Sequence, residues 1–183
     1  MSRSDRLHVL PPTRNGMPPE IRMDVISMLN QTLACTVDLR SQVRQACWNI
    51  KGKDFSLLHP IFATMLKELQ TYTDMVAERI TVLGGTVMGT VRMAAMQSKL
   101  PEYPDAVMEG DGHLLALVER FGHYAGTLRD DITLAADIED AGSAAIYTDI
   151  SREVDRQLWI LETHLRHQEG STEPEGQTGH TKQ

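Results

Sequence analysis

The chain has 183 residues, a net charge of −7, ten methionines and two cysteines. That length supports one sizeable hydrophobic core and is short for two ordinary domains, so one domain with tails is expected. The acidic balance disfavours non-specific attraction to nucleic acid and favours attraction of cations.

No apolar run reaches the roughly 18–20 residues that a membrane-spanning helix requires. The opening MSRSDRLHVLPPTRNG has no apolar segment suited to a secretory signal. A cytoplasmic protein without a membrane partner is therefore expected.

Residues 1–19 contain Pro11, Pro12, Pro18, Pro19 and Gly16 and are predicted to form a flexible arm. Up to Glu20 this segment carries Arg3, Arg6 and Arg14 against Asp5 and Glu20, a net +1, which is no strong polybasic tail. The folded domain is expected over 20–167. Its first long helix runs from Glu20 to about Trp48, where Val25, Met28, Leu29, Leu33, Val37 and Leu39 recur near helical spacing without Gly or Pro. Cys35 and Cys47 lie about 18 Å apart along it, beyond disulfide reach, and read as free thiols.

Gly52 and the polar run Lys51–Asp54 break this pattern. A second long helix follows through Leu58, Phe62, Met65, Leu66, Leu69, Val76 and Leu83 and stops at Gly84-Gly85. Residues 86–110 mix short helical material with stops at Pro101, Pro104 and Gly110, the pattern of a long crossover. A third long helix is predicted over about 113–140 and a fourth over about 143–167. The tail 168–183 is nearly devoid of apolar residues, carries a net −2 and is expected to be disordered. Four long helices with short first and last turns and a long middle crossover describe an all-α, ferritin-like four-helix bundle with a short helix in the crossover.

On the second helix Asp74 and Glu78 are spaced i, i+4 and share one face. His59 lies 15 residues earlier, about 60° away around the helix but about 22 Å away along it. One chain cannot bring all three to one metal ion. Two copies of this helix crossing antiparallel about a two-fold axis would place His59 of one beside Asp74 and Glu78 of the other, so a shared metal implies at least a dimer. Cys47 and His59 flank the same short turn.

Six blocks in order carry a family resemblance: WNIKG (48–52), LH (58–59), DMVAERITVLGG (74–85), GTVRMAA (89–95), LPEYP (100–104) and SREVDRQLWILETHL (151–165). Over roughly residues 22–167 the chain resembles the Dps family, the DNA-binding proteins from starved cells or mini-ferritins. The resemblance implies a hollow homododecamer that binds Fe²⁺ between two-fold-related subunits, oxidises it with peroxide or oxygen and stores ferric mineral. It assigns His59 as one histidine ligand, and Asp74 and Glu78 as the neighbouring subunit's carboxylates. Cys47 stands where a second histidine is usual and Ala63 where an aspartate is usual.

That departure bears on the chemistry. Hard imidazole and carboxylate donors suit iron, whereas a thiolate is softer, suits zinc or copper and is itself oxidised by peroxide. Cys47 is a ligand or, with no second thiol at ligand spacing, a small buried hydrophobe. His164 on the fourth helix is an additional ligand or a satisfied polar residue. Trp48 is read as an interface or core aromatic. Asp137, Glu139 and Asp140 line an ion-uptake pore about a three-fold axis, as family members' carboxylates do, or merely end a helix. DNA binding is expected to be weak and confined to low salt. Two functions remain open: an iron-oxidising store, or a shell with weakened chemistry serving DNA association or another metal such as zinc.

Overall fold

The computed structural model describes residues 10–11, 13–106 and 109–170, with side chains up to Arg166. Its helices are α1 (Pro19–Asn49), α2 (Phe55–Val82), α3 (Val91–Gln97), α4 (Gly110–Asp137) and α5 (Ala141–Gly170), with a 3₁₀ turn at Gly52–Asp54. No strand occurs among the described residues.

Proline fixes the start of α1, since Pro19 occupies the first turn, where a missing N–H costs nothing. At its far end Ile50 is extended, and Gly52, at φ +71°, takes the left-handed conformation that turns the chain into α2. The short connections make α1–α2 and α4–α5 antiparallel hairpins. The hairpins meet through α1 with α4 and α2 with α5. Leu29, Leu33, Leu39, Leu58, Phe62, Leu69, Phe121, Tyr124 and Tyr147 are fully buried where these faces close. Each such side chain contributes about 1.5–3 kcal/mol on burial.

The crossover is held to α1 by polar side chains. Asn30 accepts the Met88 N–H at 2.8 Å and donates to the Thr86 carbonyl at 3.1 Å. Gln42 donates to the Pro101 carbonyl at 3.0 Å, and Ser98 donates to Asp38.

Two helices end in the same motif. After α2, Gly85 N–H reaches the Ile80 carbonyl and Gly84 N–H the Thr81 carbonyl, both at 2.9 Å, with Gly84 at φ +81°. After α4, Asp140 N–H reaches the Ala135 carbonyl at 2.9 Å and Glu139 N–H the Ala136 carbonyl at 3.0 Å, with Glu139 at φ +60°. Both are Schellman closures.

Three boundaries differ from the sequence expectation. The third long helix occupies 110–137 rather than 113–140: it opens at Gly110, where a Cβ would meet the Asp54 carboxylate at 2.6 Å, and Glu139 closes it by adopting a conformation usually left to glycine. The fourth continues to Gly170, three residues into the predicted tail; residues 171–183 lie outside the described residues. Residues 10–11 and 13–18 of the arm are non-helical, and Pro11 is docked, since Arg22 donates to the Pro11 carbonyl at 3.2 Å and to the Leu83 carbonyl at 3.0 Å. Arg3 and Arg6 lie outside the described residues.

Candidate metal centre

The buried stripe of α2 is Leu58, Phe62, Met65, Leu69, Tyr72, Val76 and Ile80, stepping by three or four residues. Asp74 and Glu78 therefore fall on the outward face, and both are exposed. Asp74 accepts one hydrogen bond, from Gln70 at 2.9 Å. The Glu78 carboxylate has no ion pair among the described residues. Glu68 on the same helix is different: it accepts from Arg156 at 2.6 Å and also from Gln157.

His59 lies near the opposite end of α2, half-buried, with its ring 4.8 Å from that of Phe55. Because α2 is one continuous helix over both positions, the separation of about 22 Å expected from helical rise stands. Among the described residues, no three His, Cys, Asp or Glu side chains converge within one chain.

Cys47, two residues before the end of α1, is half-buried and packs against the core. Burial pushes its thiol up, and nearby Arg44 offsets this only in part, so the thiol is protonated at neutral pH. Ala63, one helical turn after His59, offers only a methyl group. Trp48 is 69 % exposed with the Arg44 guanidinium 5.7 Å from its ring centre, so within one chain it is not a core residue. His164 directs Nδ1 at the Ile160 carbonyl, 2.7 Å away, which leaves its lone pair on Nε2.

The structure corrects one member of the acidic trio. Asp137 and Glu139 are exposed, but Asp140 is 2 % exposed, pairs with Arg79 at 2.7 Å and accepts the Ser143 N–H at 3.2 Å. It ties the α4–α5 turn to α2 instead of facing an ion path. Sequence carried no signal for this, because Arg79 and Asp140 are 61 residues apart. Gln70, the partner of Asp74, was legible as an i, i+4 neighbour.

Among the described residues the bundle interior does not hold the donors of an intrasubunit di-iron centre, which takes several inward carboxylates and Glu-x-x-His pairs. The buried carboxylates among them are Asp131 and Asp140, and the latter is already ion-paired. Asp131 accepts from Thr32 at 2.8 Å; burial pushes its carboxyl up, and the Thr32 hydrogen bond offsets part of that rise.

A helical bundle with this crossover defines a ferritin-like protein, and residues 26–170 match the ferritin-like domain family. The chain is 36 % identical over 154 residues to the DNA protection during starvation protein of Agrobacterium fabrum, covering 84 % of this chain and 95 % of that one. DpsC from Streptomyces coelicolor superposes with a TM-score of 0.81 at 25 % identity, covering 85 % of this chain and 91 % of its own. The Dps protein of Vibrio cholerae, described as a member of a broad superfamily of ferritin-like diiron-carboxylate proteins, gives 0.79 at 27 % identity over 86 % and 99 %. The chain belongs to the Dps family of ferritin-like proteins. No helix among its described residues is long and apolar enough to cross a membrane.

Proposed function

We propose that this protein is a Dps-type mini-ferritin of the cytoplasm that binds ferrous iron, oxidises it with peroxide or oxygen and stores ferric iron in a shell of twelve subunits, protecting cell and DNA from oxidative damage. The observation that carries the reading is the state of α2: Asp74 and Glu78 stand exposed one turn apart with no ion pair among the described residues, and His59 lies at the far end of the same helix. Only a second copy completes that donor set. The exposed Trp48, Phe55 and Leu57 around the α1–α2 turn supply apolar surface suited to such a contact. In the site, iron is the substrate: the carboxylates supply the charge that holds Fe²⁺, and imidazole supplies a neutral donor.

Anaerobic Fe²⁺ titration followed by stopped-flow absorbance after adding peroxide or oxygen tests this reading. Asp74→Ala or Glu78→Ala should abolish most oxidation, and Cys47→Ser should change it little. Cys47→His combined with Ala63→Asp should bind and oxidise iron faster than the parent. Light scattering should give about twelve times the subunit mass; a stable monomer would defeat the shared site.

The protonated Cys47 thiol and the methyl of Ala63 favour a second reading, a shell of weakened chemistry that associates with DNA or holds a metal such as zinc. Parent protein that binds Zn²⁺ but turns over no Fe²⁺ would select it. Under either reading DNA binding should be weak at physiological salt, although about twelve arms add avidity at low salt.

A further inference from the structure

The chain has four tyrosines, and their hydroxyl groups have different partners. Among the described residues the Tyr72 hydroxyl is buried without a hydrogen bond, and Tyr147, in the field of Asp131, has the Thr32 hydroxyl as its nearest polar partner, which is no base. Tyr124 shares a 2.6 Å hydrogen bond with the Thr36 hydroxyl, which is no base. Tyr103, in the crossover, lies 2.6 Å from Nδ1 of His113 near the start of α4. It is the tyrosine hydrogen-bonded to a base.

The pair is held firmly. The two rings stack at 20° with centroids 6.1 Å apart, and His113 is 1 % exposed. Arg120 lies over the Tyr103 ring at 6.0 Å and donates to the Glu102 and Ala116 carbonyls, fixing the crossover to α4. His113 Nε2 is buried with no hydrogen-bond partner among the described residues; with the neutral ring carrying its proton there, Nδ1 accepts the Tyr103 O–H.

A phenol that loses an electron must also lose its proton, and a base already in hydrogen-bond contact takes that proton in the same event. We propose that Tyr103 and His113 form a proton-coupled one-electron donor that discharges strong oxidants of the hydroxyl-radical class. The phenolic O–H bond breaks, its proton passes to His113 Nδ1, and the electron reduces the hydroxyl radical to hydroxide. The imidazolium then returns its proton to hydroxide, giving water. A thiol or a ferrous ion restores the phenol by giving the phenoxyl one electron, with a proton taken from water.

The surroundings suit both partners. Burial, against a smaller opposing effect of Arg120, leaves the Tyr103 phenol pushed up to about 12, so the intact phenol is the resting form. Burial holds the His113 imidazole below the ordinary histidine range, so it is neutral and ready to accept. Burial and Arg120 also disfavour the imidazolium, which reserves the pair for strong oxidants.

The test uses the metal-free full chain, so its outcome is independent of the iron reading. Flash photolysis of ruthenium tris(bipyridine) with an irreversible acceptor supplies the oxidant, and freeze-quench electron paramagnetic resonance on protein with ring-deuterated tyrosine identifies the radical. A long-lived phenoxyl is expected, retained in Tyr124→Phe and Tyr147→Phe and mostly lost in Tyr103→Phe. His113→Gln should slow its formation by about tenfold or more. Deuterium oxide should slow formation in the parent, a readout that needs no variant. Phenoxyl at the parent level in Tyr103→Phe, parent-like formation in His113→Gln, or a dominant indolyl signal from the exposed Trp48 or Trp159 would overturn the proposal.

Discussion

The C-terminal ends of α2 and α4 close with matching backbone hydrogen bonds, yet one uses Gly84 in the left-handed position and the other uses Glu139. At Gly84 a Cβ would meet the Pro11 ring at 3.1 Å and the Arg22 guanidinium at 3.3 Å, so glycine answers both the backbone conformation and the docked arm. Glu139 faces solvent, where no such packing operates, and the backbone cost of about 1–2 kcal/mol is tolerated. A Schellman closure thus specifies a conformation, and its surroundings decide which residue fills it. The same two ends are joined by Arg79, which leaves the last turn of α2 to meet Asp140 just after Glu139.

The largest effect should come from severing that link. Arg79→Ala would strand the buried Asp140 carboxylate and cost about 3–5 kcal/mol in chemical unfolding. Glu78→Ala, one residue away but exposed, should change stability by less than about 0.5 kcal/mol. Equal losses in the two variants would erase the distinction between a carboxylate consumed by the fold and one left for a ligand.

Next in size, Gly84→Ala should destabilise by about 1–2 kcal/mol from the left-handed backbone, with crowding of Pro11 added. The matching loss should appear as faster amide exchange at residues 13–18, which Arg22 holds through Pro11. A variant as stable as the parent would show that the arm does not depend on this contact.

The smallest effect carries the opposite sign. Glu139→Gly should stabilise by about 0.5 kcal/mol, because relief of the left-handed strain is partly offset by added freedom in the unfolded chain. If the Glu139 carboxylate serves ion uptake, the same variant should load iron more slowly despite its greater stability. Unchanged loading would leave Asp137 as the exposed carboxylate to test at that corner.

The helices were legible because apolar residues recur at helical spacing over segments of about 30 residues, and Gly84-Gly85 and Gly52 marked two stops. The end of α4 was misread because its stop residue is a glutamate, whose left-handed conformation no local pattern announces. Its start was misread for the converse reason: Gly110 looks like a breaker, but there the missing side chain admits Asp54. At the candidate site, the i, i+4 spacing of Asp74 and Glu78 and the distance to His59 follow from helix geometry alone. The burial of Asp140 and the Tyr103–His113 contact do not, since each joins separate elements.

By itself the amino-acid order determined the four-helix architecture, the long crossover and the separation of His59 from Asp74 and Glu78 along one helix, because each follows from periodicity and rise along single helices. Only the tertiary structure decided which carboxylates remain available. An acidic side chain is free or consumed according to whether a cation such as Arg79 or Arg156 reaches it from another helix. Desolvation and pairing across helices depend on how the bundle packs, and residues tens of positions apart carry no record of it in their local sequence.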